Sequence, residues 1–414
     1  MDRESRAYPA LASMLVEDFY KKQSAGLLSN LNKRNVDELM VSREKIIKEI
    51  REQLSEYQTE SGEAITEEEK DFVMELIDRE LWGYGILDPF IHDKDISDIK
   101  IYASEKVRGK RIGERISLPV GFADERAYLK FVSKLLERNK VNLGTANAIQ
   151  TFTDTSLKDF LLRITVISSL LTDSGLPVIA IRKIPKDKDD LMRLSHKGMF
   201  AKGKGKKRTE DKIRESKVFD EMNPELCSLI YTMIGSKGIL FTGKGASGKT
   251  TLMNAVISEI PDDESVMICQ ENPELFDLSH PDLFGCHVLT NTGDSKISYE
   301  LGDLTRAALL VDLDRVIVGE VKNGSEAAGL SKASMTGHKC WTSVHGESCE
   351  MAVDKMADYI SQATGYSTRD ALKQLLGFEY VVHLKNFRVD EVVRIAGWNA
   401  KEECLIYETV YVNE

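Results

Sequence analysis

The octapeptide Gly243-Lys244-Gly245-Ala246-Ser247-Gly248-Lys249-Thr250 constrains this chain more than any other stretch. It has the spacing GxxxxGK[ST]. In such a loop, backbone N–H groups converge on a β-phosphate at the start of a helix. The lysine, Lys249, bridges the β- and γ-phosphates, and the Thr250 hydroxyl ligates Mg²⁺. Thr251, next in the chain, is grouped with these residues as a nucleotide contact. Glycines stand where the backbone must come close to phosphate or take a positive φ. The flanks suit the loop. Gly238 to Thr242 is a short apolar run that reads as a strand, and a helix to Ile260 is stopped by Pro261.

The surrounding pattern is that of an α/β protein. Ser265 to Cys269 and Arg315 to Val318 are further apolar runs separated by helices, which predicts a mostly parallel sheet covered on both faces. Tyr380 to Leu384, Glu391 to Ile395 and Cys404 to Val412 read as antiparallel strands. Upstream, Ile96 to Tyr102, Gly113 to Leu118, Phe160 to Ile167 and Val178 to Ile181 read as strands, with a helix over Glu125 to Leu136. These predict a second, smaller domain, α+β or α/β. Thr66-Glu67-Glu68-Glu69 is a capping box. The helix it opens turns Val73, Leu76, Ile77 and Leu81 inward, and Gly83 is placed to end it. Before it, Val36, Leu39, Met40, Ile46, Ile47, Ile50 and Leu54 form one narrow helical stripe, which suits a small bundle better than a free coiled coil. The expected organisation is a helical segment over 1–66, an α/β domain over 67–188, a linker over 189–220 and a P-loop domain over 221–414. Lys202, Lys204, Lys206, Lys207 and Arg208 lie in the linker, either as a solvated charge run or as a contact for phosphate or acidic lipid.

Composition excludes several classes. Among 414 residues, 42% are hydrophobic and 30% charged, so the chain can bury cores. The net charge of −11 argues against general nucleic-acid coating, and DNA binding is not expected. Six scattered cysteines without a CxxC pair suit neither a zinc ribbon nor a secreted disulfide scaffold, and read as reduced and cytosolic. The N-terminus lacks a signal-peptide pattern. The longest membrane-span candidate, Ala307 to Val318, is cut by Asp312, Asp314 and Arg315.

A phosphate cradle binds nucleotide, but hydrolysis needs carboxylates near Mg²⁺ and water. Glu271 closes the run that starts at Val266, with Glu274 one turn beyond. Glu320 closes Val316 to Gly319 and is the second candidate metal-side residue beside Thr250. Acidic residues at the ends of buried parallel strands lie on the ligand side of a sheet. His338 and His345 lie in the stretch Thr336 to His345. They are either structural or sensors that hydrogen-bond phosphate or catalytic water.

In this order, the motifs resemble those of the secretion ATPases of the type II/type IV superfamily, especially the CpaF-like branch of Tad-type pili. The family's Walker A loop is similar to Gly243 to Thr250. Its Asp box resembles Glu271-Asn272-Pro273-Glu274-Leu275, its Walker B Val316 to Glu320, and its His box Gly337-His338 through His345. Gly83 to Pro89 with Asp95 to Ile99, and Pro177 to Lys183, resemble family motifs of the N-terminal domain. Asn272 stands where the family usually has aspartate, Lys322 where it has arginine and Cys340 where glycine is common. Lysine offers a point charge rather than a bidentate fork, so these departures bear on turnover and subunit coupling.

The resemblance implies a RecA-like P-loop NTPase domain using ATP and Mg²⁺. It also implies a homohexamer, an inner-membrane platform protein as partner, and a cytoplasmic place at the inner face of the membrane. Arginines of the N-terminal domain would reach the γ-phosphate. The matching positions are Arg182 and, less directly, Arg163, which a surface salt bridge would equally explain. A nucleotide-gated assembly factor with weak turnover and a DNA-remodelling RecA-fold ATPase are the alternative functions.

Overall fold

The computed structural model describes residues 8, 11, 12, 14–16, 46–55, 57, 65–186, 224–289 and 298–413. Val36, Leu39, Met40 and the whole 189–220 linker with its lysines lie outside the described residues. The chain divides into two compact units, Met1–Lys94 and Asp95–Glu414.

The described residues of the first unit are mainly helical. Helix α1 (Glu67–Leu81) starts at the expected capping box, in which the Thr66 side chain accepts from Glu69 N and the Glu69 carboxylate accepts from Thr66 N. Its Val73 and Ile77 are buried with Leu11, Leu15, Val16, Ile46, Ile50, Leu54 and Ile65. The described part of the stripe thus faces a small core. A 3₁₀ turn (Gly85–Leu87) and α2 (Asp88–His92) follow.

The second unit contains two sheets. The first comprises β1 (Ile96–Ile101), β2 (Val107–Arg111), β3 (Glu114–Ser117), β4 (Ile149–Asp154), β5 (Phe160–Ile167) and β6 (Val178–Pro185). Their order is β3-β2-β1-β6-β5-β4, antiparallel throughout. Helix α3 (Glu125–Arg138) is capped by Asp124, and its buried Tyr128 hydroxyl donates to Pro177 O at 2.6 Å. The sequence reading missed β2 and β4. Strand β2 reads Val-Arg-Gly-Lys-Arg and shows no apolar alternation because its cations serve partners elsewhere in the unit. Arg108 lies 3.7 Å from Asp282 and Lys110 lies 3.2 Å from Asp312.

The second sheet holds β7 (Gly238–Thr242), β8 (Val266–Gln270), β9 (Leu283–His287), β10 (Arg315–Val318), β11 (Lys339–Val344), β12 (Tyr380–Lys385), β13 (Arg388–Asn399) and β14 (Cys404–Val412). The order is β14-β13-β12-β7-β11-β10-β8-β9. The six strands from β12 to β9 are parallel. The last three strands form the expected antiparallel tail, and β12 also joins β7 in parallel.

Alternate residues of the central strands go to opposite faces. Ile239, Phe241, Ile268, Ile317 and Trp341 pack with Ile234 of α4 (Pro224–Gly235) and with Met253 and Ile257 of α5 (Lys249–Ile257). Leu240, Met267, Val316 and Val318 pack on the other face with Leu304 of α6 (Leu301–Ala308), Leu330 of α7 (Gly324–Met335) and Met356 of α8 (Cys349–Thr364). That second cluster also takes in Tyr102, Ile167, Leu171, Val178 and Ala180 of the first sheet's domain, so the two sheets share one core. No helix among the described residues is long and apolar enough to cross a membrane.

Candidate functional site

Because β7, β8, β10 and β11 run parallel, the residues that follow them meet at one edge of the sheet. After β7, the loop keeps the left-handed geometry its glycines allow: Gly243 has φ +144° and Gly248, the N-cap of α5, has φ +100°. A Cβ on Gly243 would sit 2.4 Å from Leu384 O, so the loop has no room for a side chain there. Ser247 Oγ is buried with no hydrogen-bond partner among the described residues. A buried hydroxyl left open beside a cluster of backbone amides fits a phosphate oxygen as its partner.

Lys249 is buried and its amine donates to the loop's own carbonyls, Gly243 O at 3.0 Å and Lys244 O at 3.1 Å. Burial lowers its pKa, against the pull of Glu320. From Lys249 a row of charges runs along the sheet edge. His345 Nδ1 lies 3.4 Å from Lys249 Nζ, and His345 Nε2 lies 2.7 Å from Glu320 Oε1, at ion-pair distance but without hydrogen-bond alignment. Lys322 Nζ is 3.6 Å from Glu320 Oε2 and donates to Glu271 Oε2 at 2.6 Å. The Glu271 hydrogen bond holds the Lys322 pKa above its ordinary value. The turn that carries Lys322 is fixed by buried Glu326, which accepts from Lys322 N and Asn323 N. Thr250 and Thr251 are exposed on the first turn of α5. Thr250 and Glu320 are thus the residues that suit Mg²⁺ beside a triphosphate.

The structure brings Glu271, Glu320, His345 and Lys249 together and separates other expected residues from them. His338 lies at the opposite end of β11 from His345, where Nδ1 meets Ala333 O at 3.2 Å and Thr336 Oγ1 at 3.1 Å. A strand of that length spans roughly 20 Å, so the two histidines are not a pair within this chain. The exposed Glu274 sits at the edge, with its backbone N–H on Gln270 Oε1 at 3.0 Å. Arg182 requires a correction. It donates to Asp98 at 2.8 Å and to Asp312 at 3.0 Å. Asp312 precedes β10, whereas Glu320 follows it, so Arg182 is held at the far end of the sheet from the loop. Arg163, its cross-strand neighbour, shares that place. Neither arginine can meet a γ-phosphate in the P-loop of its own chain.

Two contributors escaped the sequence reading. Gln270 is buried and spans the Asp-box turn: Oε1 accepts from Glu274 N and Leu275 N, and Nε2 donates to Leu275 O and to Asp173 Oδ2 at 2.9 Å. Asp173 comes from the β5–β6 connection and also meets His287 Nδ1 at 2.8 Å. The connection runs along β9 through Asp173 N to Gly285 O and His287 N to Leu171 O. A Cβ on Gly285 would fall 1.9 Å from Asp173 Oδ2. Gly285, where only a residue without a side chain fits, is a local trace of this approach.

Loop, sheet order and strand-end carboxylates together are those of a RecA-like α/β domain. Residues 209–377 match the family model described as Type II/IV secretion system protein. An uncharacterized protein of Methanocaldococcus jannaschii is 26% identical over 294 residues, covering 70% of this chain and 48% of that protein. The type IV secretion system protein VirB11 of Bartonella henselae is 29% identical over 142 residues, covering 34% of this chain and 39% of VirB11. The chain thus spans about half or less of these curated relatives. The crystal structure of the VirB11 ATPase from the Brucella suis type IV secretion system, in complex with sulphate, has the same fold: TM-score 0.61 at 20% identity, covering 77% of this chain and 93% of that one.

Proposed function

We propose that this chain is an ATP-hydrolysing motor of a type II/type IV-like secretion or Tad pilus assembly system. It works as a homohexamer in the cytoplasm, against an inner-membrane platform protein, with 1–66, 67–188, 189–220 and 221–414 as its working parts. The observation that carries this reading is the continuous row Lys249, His345, Glu320, Lys322 and Glu271 at the P-loop.

Each residue has a definite task. The amides of 245–250 and the Ser247 hydroxyl hold phosphate oxygens. Lys249 exchanges the carbonyls of Gly243 and Lys244 for β- and γ-oxygens, which is favourable because the phosphate is charged and the carbonyls are not. Thr250 and Glu320 would hold Mg²⁺, which when bound would supply neutralisation of the phosphate charge. Glu320 orients the attacking water, and His345 passes the state of Glu320 to Lys249. Glu271 balances Lys322, which would otherwise neutralise Glu320.

The test is a pair of variants. Lys249→Ala should abolish ATP hydrolysis and weaken nucleotide binding. Glu320→Gln should bind ATP yet turn over at least ~100-fold slower, since a carboxylate lost at the transition state costs several kcal/mol. Near wild-type turnover in Glu320→Gln would leave Glu271 as the main carboxylate. The Lys322 contact to both Glu271 and Glu320 favours a second reading, a nucleotide-gated assembly factor with weak turnover. Phosphate release per site, followed against protein concentration, separates the two.

A further inference from the structure

We propose that Phe387 is the platform on which the base of the bound nucleotide stacks, a step that rests on the P-loop taking ATP. Lys385 pairs with Arg388, so β12 and β13 are joined by the two residues Asn386 and Phe387. Both have positive φ, +51° and +59°. Two positive φ values define the type I′ hairpin turn, whose second position favours glycine. A bulky aromatic there is strained, and strain that persists at one residue points to a use for that residue. Core packing does not supply the use, because Phe387 is 70% exposed.

The position of the ring supplies it. Phe387 N donates to Ser247 O of the P-loop at 3.1 Å. A Cβ on Gly248 would lie 3.1 Å from Phe387 Cδ1, so one edge of the ring rests on the loop's last glycine. The rest of the ring stands open beside the phosphate site. The direction of the nucleotide follows from the sheet order. Strand β7 delivers the loop, with β11 on one side and β12 on the other. Glu320 and His345, which mark the γ-phosphate end, follow β10 and β11. A triphosphate with its γ end there carries its ribose and base the opposite way, toward the β12–β13 turn and Phe387. Stacking on an aromatic face tolerates any base, so the platform supplies affinity without choosing between adenine and guanine.

The experiment measures binding of ATP, GTP and inorganic tripolyphosphate to the full chain by titration calorimetry. The variants are Phe387→Gly, Phe387→Ala and Phe387→Trp. Phe387→Gly keeps the backbone donor to Ser247 and relieves the turn, so its melting temperature should equal or exceed wild type. It should nevertheless lose roughly 5- to 150-fold in ATP and GTP affinity, the range for one base stacked on one ring. Its tripolyphosphate affinity should not change. Phe387→Ala should behave alike, and Phe387→Trp should retain ATP affinity. The added indole should be quenched by ATP but not by tripolyphosphate, against the wild-type signal of Trp82, Trp341 and Trp398. Unchanged ATP affinity in Phe387→Gly overturns the proposal, as does an equal loss for ATP and tripolyphosphate, which would mean that the ring acts through the loop. A wild-type chain that binds neither ligand overturns the P-loop reading and the platform with it.

Discussion

Lys100 takes a charge into the interior of the second unit, where its amine meets Ser265 Oγ and Asp312 O and lies 3.9 Å from Asp282. Burial lowers its pKa from 10.5 to about 8, opposed by the nearby Asp282. The sign of the linkage follows. Below pH 8 both folded and unfolded chains hold the proton, and the cost of burying the charge is fully present. Between about 8 and 10.5 only the unfolded chain holds it, so stability rises with pH. Relative to Lys100→Met, the wild type should gain up to ~1.4 kcal/mol per pH unit across that window. Urea unfolding of both proteins at pH 7, 8, 9 and 10 checks this, and parallel curves would sink it. Nothing in the run Ile96 to Tyr102 distinguishes Lys100 as buried, because its partners follow it by at least 165 residues.

At the scale of elements, the β5–β6 connection links the two sheets. It extends the sheet past β9 and delivers Asp173 to Gln270, whose four hydrogen bonds set the Asp-box turn. On the ATPase reading proposed above, Asp173 acts through Gln270 to position the turn that follows Glu271. Asp173→Ala should lower kcat roughly 10-fold with nucleotide affinity held within about twofold, since small displacements of a positioned group cost rate rather than binding. Asp173→Asn, which keeps one acceptor, should recover part of the loss. Equal changes in kcat and affinity would show that the loop merely supports the fold. The element that misled the sequence reading is β11. Its Lys-Cys-Trp-Thr-Ser-Val lies between two histidines that invite pairing, yet an extended strand places them at opposite ends of the sheet.

For the whole molecule, the ion pairs of Arg182 with Asp98 and Asp312 tie the first sheet to the far end of the second. Any arginine that reads the γ-phosphate must then come from outside this set of contacts. A ring of copies meets that need, and closed rings are the usual outcome of repeated head-to-tail contacts whose rotation closes. Multi-angle light scattering at tens of micromolar should find a hexamer with Mg²⁺ and an ATP analogue. A monomer with and without nucleotide would count against the motor.

The sequence by itself determined what is encoded by neighbours along the chain. The P-loop, its strand and helix, the buried runs of a parallel sheet and the capping box at Thr66 each depend on residues a few positions apart, where spacing fixes geometry. Glu271 and Glu320 were legible for the same reason, because each ends an apolar run. Tertiary structure alone decided which distant groups meet. It chose His345 over His338, committed Arg182 to Asp312, brought Asp173 to Gln270 across 97 positions and set Phe387 over Gly248. Those choices come from how two sheets share a core. A side chain's partner across a sheet edge leaves no periodicity in the sequence that carries it.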